Sequence, residues 1–227
     1  MKVLSVSREQ LAKMIDSTNV KATATRSEIE KLCREAVQYE FGRVCVNPIY
    51  VKLAASLLKS SNVRVSSTVG FPFGISLSET KAFEARKALE NGADELDMVV
   101  NLSALKSGDY EKVKQDIVAV VDVKRLSKEM IVKVIIETTC LTHEEKIIAC
   151  KLADEAGADF VKTSTGFFGT GATVEDVRLM RQTVSERMGV KAAGGIRTYA
   201  DALAMIKAGA NRIGTSSAVE VVKGAPV

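Results

Sequence analysis

The chain has a single histidine, His143, and its four cysteines, Cys33, Cys45, Cys140 and Cys150, form no CxxC pair. A Cys/His zinc site has little to be built from, so no metal is expected, and reduced thiols in a cytoplasm are the simplest reading. There is no basic block either: the formal charge of +4 is the balance of 32 Lys and Arg interleaved with 28 Asp and Glu. A nucleic-acid partner is therefore not expected. No apolar run approaches the roughly 20 residues that span a bilayer, and MKVLSVSREQ turns polar by Ser7, too early for a signal peptide. No membrane association is expected. Linkers, low-complexity stretches and a GxGxxG after the first strand are also lacking. What remains is 227 residues, 46% hydrophobic and 26% charged, which predicts one α/β domain over residues 1–227 with a sizeable core.

One junction recurs: ENGADELDMVV, EAGADFVKTS and KAGANRIGTS each run from a helix through a small-residue loop into an apolar β stretch. Gly92, Gly157 and Gly209 are placed to end the helices in the left-handed conformation. Helix starts recur as well. Ser7 with Gln10, Ser27 with Glu30, Thr142 with Glu145, Thr173 with Asp176 and Thr198 with Asp201 each set a hydroxyl before an acidic or amide residue three positions on. Between them lie short β-branched runs at 43–46, 64–69, 95–100, 131–137, 159–163, 190–193 and 212–214, with a weaker one at 14–18. Strands alternating with helices imply right-handed βαβ units and a parallel sheet. Eight units in a chain near the ~250 residues usual for such folds predict a (β/α)8 TIM barrel, here with an extra N-terminal helix. A doubly wound open sheet is the rival.

Barrel geometry gives direction to the charged residues in these strands. Side chains alternate, and those facing the axis near the C-terminal ends of the strands form the site. If Lys162 and Lys191 point inward, Val161, Thr163, Val190 and Ala192 point to the helices; Asp97 inward sets Leu96, Met98 and Val100 outward. A strand-end lysine ordinarily snorkels to solvent. An aspartate among apolar neighbours is harder to explain, because an unpaired buried carboxylate is costly. A structural ion pair and a reactive amine are the two readings, and three charges at corresponding depth favour chemistry.

Glycine-rich loops follow the last strands. AAGGIRT after strand 7 carries Gly194 and Gly195, and RIGTSSAV after strand 8 carries Gly214, Ser216 and Ser217. Backbone N–H groups at these positions suit a phosphate. STGFFGTGAT after strand 6 adds Gly166, Gly169 and Gly171, where backbone can approach a ligand closely.

DELDMVVN, KVIIET, ADFVKTSTGF, VKAAGGIRT and RIGTSSA, with VCVNPIYV near the start, closely resemble the deoxyribose-phosphate aldolase family, class I aldolases on a (β/α)8 barrel. The motifs run in order from Val44 to Ala218. The resemblance implies reversible, cofactor-free cleavage of 2-deoxy-D-ribose 5-phosphate to D-glyceraldehyde 3-phosphate and acetaldehyde, in deoxyribose phosphate catabolism. It implies a Schiff base on Lys162, a pKa-lowering and proton-transferring role for Lys191, and proton transfer by Asp97. Phosphate falls to Gly194, Gly195, Gly214, Ser216 and Ser217 with Ser164, Thr165 and Gly166 beside it; Arg197 joins them or is structural. Supporting positions are Asp16 and Thr18 on strand 1, Cys45 and Asn47 on strand 2, and Lys133 and Glu137 on strand 5. Cys45 reads as packing, and Lys133 with Glu137 as an ion pair at the pocket floor. A homodimer or homotetramer is implied.

Three departures from the family pattern stand out. Ile15-Asp16-Ser17-Thr18 has Ser17 where many members carry histidine, Phe167 stands where some carry a phosphate-reaching lysine, and VVKGAPV lacks a longer tail with a terminal tyrosine. They bear on rate, affinity and proton route. Two rivals remain: another Schiff-base barrel lyase, transaldolase-like or dehydratase-like, and a non-catalytic phosphometabolite-binding barrel that would have lost one of the three charges.

Overall fold

The computed structural model describes residues 6–226. Eight parallel strands, β1 (Ile15–Asn19), β2 (Arg43–Val46), β3 (Arg64–Val69), β4 (Glu95–Val99), β5 (Ile131–Ile135), β6 (Phe160–Lys162), β7 (Gly189–Ala193) and β8 (Arg212–Thr215), pair in chain order, and β8 closes onto β1. The open-sheet rival is excluded. The expected strands all form, with edges moved by one or two residues; the largest change is at β5, which ends at Ile135 rather than Glu137.

Helix α1 (Arg8–Met14) precedes the barrel as the extra N-terminal helix. Helices α2 (Arg26–Gln38), α3 (Val51–Leu58) and α4 (Ser78–Glu90) follow β1, β2 and β3. After β4 come α5 (Leu102–Lys106) and α6 (Tyr110–Val121), and then α7 (His143–Glu155), α8 (Val174–Thr183), α9 (Tyr199–Ala208) and α10 (Ala218–Lys223), one per remaining strand. Among the described residues no helix is long and apolar enough to cross a membrane.

The hydroxyl caps form at Ser7, Thr142, Thr173 and Thr198. The expected start at Ser27 does not. Thr25 caps α2 instead and forms a full capping box with Glu28. Both pairs fit the same spacing, and the helix takes the earlier one. Gly92, Gly157 and Gly209 have φ of 98°, 83° and 115°, as the repeated αβ junction requires.

The main core lies between barrel and helices. Leu96, Met98, Val100, Val161, Val190 and Ala192 are all fully buried there, each larger side chain contributing roughly 1.5–3 kcal/mol. That layer fixes the strand faces, so the alternate positions have only the barrel axis to face. They are largely polar.

Candidate active site

Asp97, Lys162 and Lys191 converge inside the barrel. Asp97 pairs in register with Lys133 across β4–β5, and Lys162 with Lys191 across β6–β7. Both Lys162 Nζ, at 2.7 Å, and Lys191 Nζ, at 2.8 Å, donate to Oδ2 of Asp97. Two lysine nitrogens are thus separated by one oxygen atom. On the other carboxylate oxygen, Oδ1 accepts from Lys133 Nζ at 2.7 Å and from Ser66 Oγ at 2.9 Å. Lys191 also donates to Asp16 Oδ2 at 2.5 Å. Its path is open because position 214 on β8 is glycine: a Cβ there would lie 3.0 Å from Lys191 Cε and 2.9 Å from Ala193 Cβ.

The charge states follow from these contacts. Burial alone would push the Asp97 carboxyl up, but Lys133, Lys162 and Lys191 together hold it well below its ordinary value. Burial would likewise pull Lys191 down; Asp16 and Asp97 outweigh that and hold it above the ordinary lysine range. Asp97 is therefore an anion and Lys191 a cation at neutral pH. Burial raises the Cys45 thiol, with Asp97 adding to the effect. Cys45 Sγ lies 3.9 Å from Asp97 Oδ2 in a fully buried position, as packing.

Beneath this cluster is a second one that sequence reasoning did not single out. Glu95, two residues before Asp97 and on the same face, contacts Lys133 Nζ at 2.6 Å, Arg212 at 2.5 Å and Arg43 at 2.8 Å. Arg212 also stacks 4.2 Å from the Phe160 ring centroid. The alternation that pointed to Asp97 pointed equally to Glu95. Burial would raise the Glu95 carboxyl, and the three cations instead hold it below its ordinary value.

These contacts correct one expectation. Lys133 is not paired with Glu137; it is paired with Glu95 and Asp97. Glu137 lies past the end of β5 in a left-handed conformation, φ 55°, strained for a residue with a side chain. There its Oε2 accepts from the Thr165 N–H at 2.9 Å and the Thr165 hydroxyl at 2.5 Å. It fixes the loop after β6. Asn47 likewise does not line the pocket, since its amide donates to the Lys21 carbonyl at 3.1 Å.

A cavity of about 530 Å3 opens above Lys162. Lys162, Thr18 and Gly214 reach it from the barrel strands, while Thr165, Gly166, Gly194, Gly195 and Ser216 approach from the loops after β6, β7 and β8. Arg197 and Phe167 are also on its wall. The β6 and β7 loops touch through glycine: a Cβ on Gly171 would lie 2.4 Å from the Gly194 carbonyl carbon. Thr215, another residue not singled out, ties the next pair of loops by donating from Oγ1 to the Ile196 carbonyl at 2.6 Å. Two expected phosphate residues are set back from the cavity. Ser164 is buried with its hydroxyl unpartnered, and the Ser217 N–H is taken by Thr215 Oγ1 at 2.9 Å. Ser17, where a histidine was noted as missing, is buried on the face of β1 opposite Asp16. Among the described residues, no group of three or more His, Cys, Asp and Glu is arranged to hold a metal ion.

A closed (β/α)8 barrel with a lysine at the floor of a cavity at the C-terminal ends of its strands has the layout of a barrel-enzyme site. Residues 10–222 match the model of the DeoC/LacD family aldolases, and the chain belongs to that family. It is 65% identical over 217 residues to the deoxyribose-phosphate aldolase of Thermococcus gammatolerans, covering 95% of this chain and 96% of the relative. A Streptococcus gordonii protein of the same name is 58% identical, covering 95% and 96%. Among solved structures, the tetrameric deoxyribose phosphate aldolase of Aeropyrum pernix superposes with a TM-score of 0.89 at 38% identity, covering 96% of this chain and 91% of that one.

Proposed function

We propose that this chain is a deoxyribose-phosphate aldolase of the Schiff-base type, acting as one barrel domain on 2-deoxy-D-ribose 5-phosphate in deoxyribose phosphate catabolism. The observation that carries the reading is the placement of Lys162: it alone of the three clustered lysines reaches the cavity, and it shares one carboxylate oxygen with the ammonium of Lys191. Five interior cations, Arg43, Lys133, Lys162, Lys191 and Arg212, face three carboxylates, Asp16, Glu95 and Asp97. Arginine keeps its proton, and Lys133 and Lys191 each contact more than one carboxylate. Of the three lysines, Lys162 has the fewest anionic contacts and is the one that lines the cavity.

The neutral amine of Lys162 attacks C1 of the open-chain aldehyde to give a carbinolamine, whose hydroxyl takes a proton from the water relay and leaves as water, so that a protonated imine remains. Asp97 retains Lys133, Ser66 and Lys191 as partners when Lys162 turns to the substrate. A base, water ordered by Asp97, takes the C3 hydroxyl proton; the C2–C3 bond breaks as C3 becomes the aldehyde of glyceraldehyde 3-phosphate. The bonding pair moves into the C1=C2 bond of an enamine, and the imine nitrogen becomes neutral. Protonation at C2 and hydrolysis release acetaldehyde and restore the amine. The proton taken from the C3 hydroxyl returns to C2 through the same water relay, in which Lys191, fixed between Asp16 and Asp97, gives one proton and takes one back and so stays the neighbouring positive charge. No cofactor enters this sequence.

The phosphate is placed against the Gly194–Gly195 loop, Gly214, Ser216 and the Thr165–Gly166 backbone, with Arg197 on the rim. A homodimer or homotetramer in the cytoplasm completes the reading; likeness to the Aeropyrum pernix tetramer supports the larger assembly. The test is borohydride trapping in the presence of acetaldehyde or 2-deoxyribose 5-phosphate, followed by peptide mapping. The reduced adduct is expected on Lys162. An adduct on another lysine, or none on folded protein, would overturn the mechanism.

A further inference from the structure

The loops after β7 and β8, where the phosphate is placed, are flanked on one side by the β6 loop and on the other by the β1–α2 loop. The β6 flank is apolar at its rim, where Phe167 stands on the cavity wall. The β1 flank is not. Ser17 pairs with Thr215 across β1–β8, so the residues just past Asn19 emerge beside Ser216. Lys21 is there, exposed and on the wall of the same cavity as Gly194, Gly195 and Ser216. Its position is fixed by its own backbone. Asn47 Nδ2 donates to the Lys21 carbonyl at 3.1 Å, and Tyr50 donates to Ala24 O at 2.6 Å a few residues on.

Among the described residues Lys21 has no carboxylate within 4.0 Å, whereas Lys31 on the same wall lies 3.7 Å from Glu35. Glu28, the other carboxylate on this wall, accepts from the Thr25 N–H at 2.7 Å and its hydroxyl at 3.0 Å, and these bonds, with a smaller contribution from the Lys21 charge beyond ion-pair distance, hold it below its ordinary value. A rim-exposed ammonium outside any close ion pair, on an anchored loop and facing a cradle of backbone N–H groups, matches a dianionic phosphoryl group. We propose that Lys21 is a specificity residue for the phosphate end of the substrate, supplying from the β1 side the mobile positive charge that the β6 side lacks. This rests on the phosphosugar reading given above.

The experiment compares 2-deoxyribose 5-phosphate with 2-deoxyribose as substrates of the wild type, Lys21→Gln, Lys21→Arg and Asn47→Ala at low and high salt. Lys21→Gln is expected to raise KM for the phosphorylated substrate roughly three- to tenfold at low salt, less at high salt, with kcat unchanged. Unphosphorylated 2-deoxyribose should be handled as by the wild type. Lys21→Arg should restore most of the affinity, and Asn47→Ala should give a smaller rise for the phosphorylated substrate only. Equal losses on both substrates would reduce Lys21 to a loop-shaping residue and overturn the proposal. An unchanged KM in Lys21→Gln, beside a wild type that prefers the phosphorylated substrate, would overturn it while leaving the phosphate site standing. A wild type without that preference would remove both.

Discussion

Two buried lysine–carboxylate groups can be set side by side in this protein. In the helix layer, Lys81 of α4 meets Asp116 of α6 at 2.6 Å, both fully buried. Lys81 also donates to the Val99 carbonyl at 2.9 Å, and Ser78 donates to the other Asp116 oxygen at 3.0 Å. One cation meets one anion, and neither lines the cavity above Lys162. In the barrel, Asp97 is shared by Lys133, Lys162 and Lys191, and one of the three faces an open cavity. A balanced, sealed pair holds two helices together. An unbalanced cluster at a cavity floor is the arrangement on which the proposed Schiff-base chemistry draws. Their electrostatics differ in sense as well: burial raises Asp116 and lowers Lys81, disfavouring both charges, while surrounding cations overcome burial at Asp97.

The sharpest break of this comparison is Asp97→Asn. It should lower kcat/KM roughly a hundredfold to ten-thousandfold and reduce stability by roughly 3–5 kcal/mol, because three buried cations lose their common anion. Kinetics and urea unfolding on one preparation check both parts; near-normal turnover would place Asp97 with Asp116 as a structural anion. Next in size is Lys81→Met, expected to destabilise by roughly 3–5 kcal/mol by leaving Asp116 unpaired, with kcat/KM of the folded enzyme within about twofold of normal. Adding Asp116→Leu should recover much of that stability, and a large kinetic defect in the double variant would erase the distinction drawn here.

Lys191→Leu tests the imbalance itself. Removing a cation one oxygen atom away makes the neutral form of Lys162 rarer, so adduct formation at neutral pH should slow roughly tenfold and recover as pH rises. Buried Asp16 also loses its closest partner, so the melting temperature should fall. A pH profile that superposes on the wild type would remove Lys191 from its role.

The smallest effect concerns acid. Asp97 and Glu95 are held below their ordinary values of 3.8 and 4.5, so their stabilisation is full above those values and is lost as pH falls through the depressed folded values. Asp116, raised from 3.8, has the opposite sign: its linkage term favours the fold below that value and is lost as pH rises. Urea midpoints should therefore drop below about pH 4, and the Lys81→Met, Asp116→Leu double variant should keep that drop. Its disappearance would assign the acid sensitivity to the helix layer.

The faces of the strands were legible early because period-two alternation in short β-branched runs leaves one face apolar, and Val161, Val190 and Leu96 are buried outward as expected. Asp97, Lys162 and Lys191 were legible for the same reason, and the family resemblance gave them roles. Partner choice was not. Lys133 and Glu137 stand four apart on what reads as one strand, but the strand ends at Ile135 and Glu137 turns to Thr165. Thr25 and Ser27 offered equivalent capping patterns, and only the path of the chain into α2 separates them. Lys81 looked like any polar residue on a helix until α6 was packed against it.

By itself, then, the sequence determined the alternation of strands and helices, the (β/α)8 closure they imply and the inward set of charges, because these depend on local periodicity and on the need to bury one face. Only the tertiary structure decided which carboxylate each lysine meets, which of them reaches the cavity, and that Lys21 stands beside the β8 loop. Those depend on register between strands far apart in the chain and on the short range of hydrogen-bonded charge, within which a shift of one residue exchanges one partner for another.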